Sequence, residues 1–237
     1  MGSILCLETS SRVCSAVIGS DGNMVACYES EQENAHSSAL TGLIDQALHQ
    51  AQMELSGLDA VAVSMGPGSY TGLRIGVATA KGFCYALNKP LISVPTLRAM
   101  ALGILEQIKL HEPQGRAPDL VCPMLDARRM EVYCAVYDQS LNEIFPVSAQ
   151  IINSGSFSDL LGKSRILFAG EGAFKCKPFL GINQNSFFLD DFKLSARFLY
   201  PQANEKFIRG EYENPAYFEP CYLKDFVAGK PRVKGLK

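Results

Sequence analysis

Two stretches of this chain share one order of apolar segments: three short strands in succession, then a helix and a further strand. In the first stretch the strands read Ser3 to Leu7, Val13 to Ile18 and Met24 to Glu29. They are joined by Thr9-Ser10-Ser11-Arg12 and Ser20-Asp21-Gly22-Asn23, the small polar residues that hairpin connections require. A helix over Ser37 to Gln52 follows, because Leu40, Leu43, Ile44, Ala47, Leu48 and Ala51 recur at three- and four-residue spacing. Ala60 to Met65 reads as a buried strand, a second helix reaches Leu87, and Leu91 to Val94 is another strand. After a helix capped by Thr96 and a Pro/Gly loop over 109–118, the order restarts with Leu120 to Leu125, Glu131 to Tyr137 and Ile144 to Ile152. A short helix at Ser158 to Leu161, a strand at Ile166 to Ala169 and the turn Gly170-Glu171-Gly172 complete it. The residues themselves do not repeat; only the order does. It predicts an α/β fold with two related subdomains, 1–94 and 95–226, facing each other across a cleft. Residues 227–237, with Lys230, Arg232, Lys234 and Lys237 and no acid, read as a flexible basic tail.

Composition removes several function classes. The 237 residues carry 22 Lys+Arg against 24 Asp+Glu, a net charge of −2, so no global basic field draws the chain to nucleic acid or membrane. No secretory signal or membrane span is expected: Glu8 interrupts the first apolar segment, and Ala60 to Leu73 contains Gly66, Pro67 and Gly68. A cytoplasmic location follows as the expectation. The eight cysteines are scattered, with no C-x-x-C pair, and read as reduced core residues rather than ligands or disulfides.

Four segments are candidates for chemistry. Gly66-Pro67-Gly68-Ser69-Tyr70-Thr71-Gly72 joins a strand to a helix and could present backbone N–H groups to an anion, although it is neither a Walker A sequence nor G-x-G-x-x-G. Close packing of helix on sheet is the plainer reading. The hydroxyl-rich turn Thr9, Ser10 and Ser11, after Glu8, could contact phosphate or merely satisfy its own backbone. The turn Gly170-Glu171-Gly172 carries the same ambiguity. In Asp126-Ala127-Arg128-Arg129-Met130-Glu131, paired arginines could grip a carboxylate, a phosphate or an acidic partner, or pair with Asp126 and Glu131. The histidines His36, His49 and His111 form no H-x-x-x-H, His36 reading as a local cap, and no G-x-S-x-G elbow is present.

Taken together, "ILCLETSS", "GPGSYTGLRIGVATAKGFCYAL", "PMLDARRMEVYCAVY" and "NPAYFEPCYLK" resemble the TsaB (YeaZ) proteins, in the right order across nearly the whole chain. The resemblance implies the fold of the actin, sugar-kinase and Hsp70 superfamily (ASKHA), with two βββαβα-type subdomains. It implies work with TsaD and TsaE in forming N6-threonylcarbamoyladenosine (t6A) on the tRNA adenosine beside the anticodon, position 37. TsaB is the non-catalytic paralogue there, so a scaffold touching tRNA only indirectly is expected.

The positions where TsaD-type proteins carry H-x-x-x-H hold Thr96 and Met100 here, poor ligands for iron or zinc. No metal or cofactor is therefore expected, and no catalytic residue. The same comparison places Thr9, Ser10, Ser11, Gly170 and Gly172 as degenerate phosphate-loop positions, an expected Asp being replaced by Glu171. It also suggests pairing with TsaD, or homodimerisation of the free chain, through the two helices of the first subdomain, with Leu40, Leu43, Ile44, Ala47, Leu73, Val77 and Ala80 as interface candidates. The basic tail could add contacts to tRNA phosphate. The rival readings are an ATP-dependent phosphotransferase of the same superfamily and a peptidase.

Overall fold

The computed structural model describes residues 2–32, 36–111 and 117–224. The basic tail lies outside the described residues. Among the described residues ten strands form two five-stranded sheets. In the first, β1 (Ser3–Glu8), β2 (Cys14–Ser20) and β3 (Asn23–Ser30) meander antiparallel, while β4 (Ala60–Gly66) and β5 (Leu91–Pro95) run parallel to β1. The order across the sheet is β3-β2-β1-β4-β5. The second repeats it with β6 (Leu120–Asp126), β7 (Glu131–Asp138), β8 (Glu143–Ile151), β9 (Ile166–Ala169) and β10 (Ser186–Leu189), ordered β8-β7-β6-β9-β10. Element order and strand order thus recur together, giving the two βββαβα-type units and the actin-like architecture.

Each sheet buries one face under its own helices. On the first lie α1 (His36–Gln50) and α2 (Tyr70–Leu87); on the second lie α4 (Ser158–Leu161) and α5 (Glu171–Leu180). Between the two sheets run α3 (Thr96–His111) and α6 (Tyr200–Arg209), within one core drawn from both subdomains. α3 forms because Leu97, Met100, Ala101, Ile104 and Leu105 give it an apolar face, each worth about 1.5–3 kcal/mol when fully buried in the case of the larger side chains. α2 starts at Ser69, whose hydroxyl accepts from Gly72 N–H. It ends at Asn88 in the left-handed conformation.

The simple boundary at residue 95 does not describe how the chain packs. After β10 the chain crosses back, and α6 lies on β1, β4 and β5 of the first sheet. Gly19 on β2 leaves room for the Tyr200 ring, which would lie 2.0 Å from a Cβ there. The Tyr200 hydroxyl accepts from Gly22 N–H at 3.0 Å. The last described segment then hydrogen-bonds the first sheet twice, Glu213 N–H to Leu91 O at 2.8 Å and Cys221 N–H to Met65 O at 2.7 Å.

The eight cysteines form no disulfide, and six of them are buried. Among the described residues no helix is long and apolar enough to cross a membrane.

Candidate functional site

The C-terminal ends of β1, β6 and β9 meet at the cleft between the subdomains. A cavity of about 270 Å³ opens there, lined by Ser10, Ser11, Arg12, His36, Ser69, Leu125, Asp126 and Glu171. The hydroxyl turn supplies one wall. Ser10 and Ser11 are buried, and neither hydroxyl has a hydrogen-bond partner of good geometry. Thr9 is committed elsewhere: its Oγ1 donates to Gly72 O at 2.7 Å and ties the turn to α2.

Glu8 lies beneath this turn, fully buried. Ser10 N–H donates to its Oε1 at 2.5 Å, and the hydroxyls of Ser10 and Ser64 lie beside the carboxyl. Burial pushes its pKa up to about 7, against the opposing pull of the nearby Ser10 and Ser64 hydroxyls and the Ser10 and Thr9 backbone N–H groups. The carboxyl therefore changes charge near neutrality.

The second wall comes from the Gly170-Glu171-Gly172 turn. Gly170 has φ +99°, and a Cβ on it would stand 2.5 Å from Met124 O; a Cβ on Gly172 would stand 2.8 Å from Leu125 O. Both glycines let α5 approach β6, which is a packing role. Glu171 reaches across, its Oε1 accepting from Arg12 N–H at 3.1 Å. Burial raises its pKa, while the Arg12 backbone and guanidinium lower it. His36 meets the Ser11 carbonyl through Nε2 at 2.8 Å, not a hydroxyl, so it forms no nucleophile–base pair there. With Glu171 and Asp126 facing Arg12 and His36, the lining is mixed in charge. A polyphosphate would meet carboxylates where the two turns alone would suggest only donors, and the residues do not fit one well.

The glycine-rich segment resolves as packing. A Cβ on Gly72 would lie 1.9 Å from Thr9 O, one on Gly76 2.3 Å from Thr9 Oγ1, and one on Gly68 2.6 Å from the Ser10 Cβ. Ser69 N–H is already bonded to Ser10 O at 2.7 Å. Thr96 and Met100 are likewise occupied: the Thr96 hydroxyl accepts from Gly66 N–H at 3.0 Å, and buried Met100 packs beside Gly170. These two side chains do not fit a catalytic metal. Among the described residues no group of three or more His, Cys, Asp or Glu is placed to hold one.

Leu40, Leu43, Ile44, Ala47, Leu73, Val77 and Ala80, expected at a helix interface, require correction. All seven are buried under α1 and α2 against their own subdomain, as the apolar stripe of a surface helix normally is. What α1 and α2 present outward is Thr41, Gly42, Asp45, Ala78, Gly82 and Tyr85, the last 90% exposed.

Asp126 borders the cleft, whereas Arg128 and Arg129 stand exposed at the tip of the β6–β7 hairpin. Among the described residues their guanidiniums form no ion pair with Asp126 or Glu131, although Arg128 N–H donates to Asp126 Oδ1 at 2.8 Å. Lys175 binds Asp126, and Lys224 binds Glu131. Sequence reasoning assigned no cleft role to Arg12 or His36, whose cleft partners come from distant segments, and it offered Ser69 only as part of the glycine-rich segment.

A family model described as tRNA N6-adenosine threonylcarbamoyltransferase, TsaD, matches residues 26–187. Over 236 residues the chain is 28% identical to the tRNA threonylcarbamoyladenosine biosynthesis protein TsaB of Escherichia coli, covering 96% of each chain. The chain belongs to the TsaB (YeaZ) family. The Haemophilus influenzae TsaB is 33% identical over 55% of this chain and 51% of its own length. YeaZ from Pseudomonas aeruginosa superimposes with a TM-score of 0.74 at 24% identity, over 94% of this chain and all of that one. The four strings that carried the TsaB resemblance all border the two turns or the last described segment that returns to the first sheet. They form β1 with its turn, the β4–α2 junction, the β6–β7 hairpin and residues 214–224.

Proposed function

We propose that this chain acts in t6A formation on tRNA, as a non-catalytic subunit working with TsaD and TsaE in the cytoplasm. The full-length similarity to proteins named for t6A biosynthesis supports the process. The observation that carries the non-catalytic role is the commitment of Thr96 to Gly66 N–H and of Met100 to the core, at the positions where the catalytic paralogues bind metal. A subunit of this kind acts through its surface. The outward face of α1 and α2, with small Gly42, Ala78 and Gly82 beside Tyr85, permits close helix approach and is the surface we assign to TsaD, or to a second copy when the chain is alone.

The test is reconstitution of t6A on an unmodified tRNA transcript with TsaD and TsaE, with and without this chain. Modification that requires the chain is expected. Equal product without it, or product from this chain alone, would overturn the proposal.

A further inference from the structure

Among the described residues the guanidiniums of Arg128 and Arg129 meet no carboxylate, Asp126 touching Arg128 only through its backbone N–H. Lys175 binds Asp126 and donates to the Glu131 carbonyl at 2.7 Å, and Lys224 binds the Glu131 carboxylate. Neither arginine forms an ion pair among the described residues, and both are exposed. Two lysines from distant segments have thus neutralised the local acids, leaving two guanidiniums uncompensated at the hairpin tip.

The backbone does not ask for arginine there. Arg128 and Arg129 have φ of 70° and 50°, consecutive left-handed residues in a region suited to glycine or asparagine. Strained residues of this kind concentrate at ligand clamps. The tip follows directly on Asp126, which lines the cleft cavity. Lys224 connects it to Tyr222, whose ring lies 4.9 Å from that of Tyr70, with the Arg74 guanidinium 4.3 Å over Tyr70. Guanidinium forks and tyrosine rings are the chemistry that holds RNA backbone and unstacked bases.

We infer that the Arg128–Arg129 tip is a direct RNA contact, gripping tRNA phosphates as the substrate is presented at the cleft mouth. The inference rests on the t6A reading, which supplies RNA as the ligand, and replaces indirect contact with a direct one.

Binding of an unmodified tRNA transcript is measured by fluorescence anisotropy, for the chain alone and with TsaD, from about 50 to about 200 mM salt. The double variant Arg128→Asn/Arg129→Gly suits the left-handed backbone, so its melting temperature should equal or exceed that of the parent. Its tRNA affinity should fall on the order of tenfold at low salt, with a log–log salt slope shallower by about 1.5. An unchanged affinity and slope would overturn the inference. So would loss of TsaD co-elution with retained RNA binding, which would make the tip a protein contact. Failure of the t6A reading is seen separately, as absence of modification by the parental assembly, and a difference in RNA affinity between parent and variant would still support the contact.

Discussion

Glu171 on α5 accepts a hydrogen bond from the backbone N–H of Arg12, 159 residues earlier, and so joins the two turns that face each other across the cleft. This contact links one subdomain to the other through a side chain rather than through the shared core. Replacing Glu171 with Ala should leave the fold intact, costing on the order of 1 kcal/mol. Hydrogen exchange at Arg12 N–H should accelerate while the β1 amides stay protected. Equal protection of Arg12 in both proteins would show that the link is unimportant in solution.

Glu8 should make stability pH-dependent near neutrality. Its folded pKa, about 7, lies above the ordinary glutamate value of 4.5. Between those values the folded chain holds a proton that the unfolded chain releases, so stability falls as pH rises through this window and levels off above about 7. The difference is on the order of 3 kcal/mol. Glu8→Gln, which keeps an acceptor for Ser10 N–H, should flatten the Glu8 contribution between pH 5 and 8 and stabilise the chain at pH 8 relative to the parent. Parallel denaturant curves for the two proteins would refute this.

The two faces of α1 and α2 should answer oppositely to charge. Leu43→Glu places a carboxylate in the core and should cost about 4 kcal/mol or more, enough to unfold the first subdomain. Tyr85→Glu on the outward face should leave the melting temperature nearly unchanged and abolish co-elution with TsaD. A folded Tyr85→Glu protein that still binds TsaD would move the interface elsewhere.

Glycine positions within α2 divide in the same way. Gly72→Ala drives a Cβ against Thr9 O, and backbone cannot yield cheaply, so a loss of about 1–3 kcal/mol is expected by thermal melting. Gly82 has open space and left-handed backbone plays no part there, so Gly82→Ala should stabilise by up to about 1 kcal/mol. Reversal of this order would refute the packing argument for the β4–α2 junction.

Strands β1 to β9 were readable because their apolar or alternating runs are short and punctuated by Gly, Asp and Ser; most are buried, β3 and β8 less so. The helix at Ser158–Leu161 and the strand at Ile166–Ala169 lie where the pattern predicts them. What the pattern did not disclose lies after residue 170. α5 begins at the glycine turn and contains Pro178, which masks the helix in the sequence; α6 has only the short stripe Tyr200, Ala203 and Phe207 among polar residues, too few apolar positions to announce it. β10 is an edge strand whose residues are only half-buried. The cleft was visible in part: Ser10 and Ser11 line it, whereas Thr9, Gly170 and Gly172 serve packing behind it. Arg12 and His36 gave no local signal, because their contacts are set by tertiary approach. The helix-interface residues were misassigned because an apolar stripe shows which side of a helix is sticky, not whether its own sheet already covers it.

The return of residues 196–224 to the first sheet bears on how the molecule is made. The part of that sheet under α6, including the pocket beside Gly19 that Tyr200 fills, stays uncovered until the segment from Tyr200 onward has left the ribosome. Although it is made before the second sheet, the first is sealed after it, and nascent chains paused before Tyr200 should expose that face to chaperones.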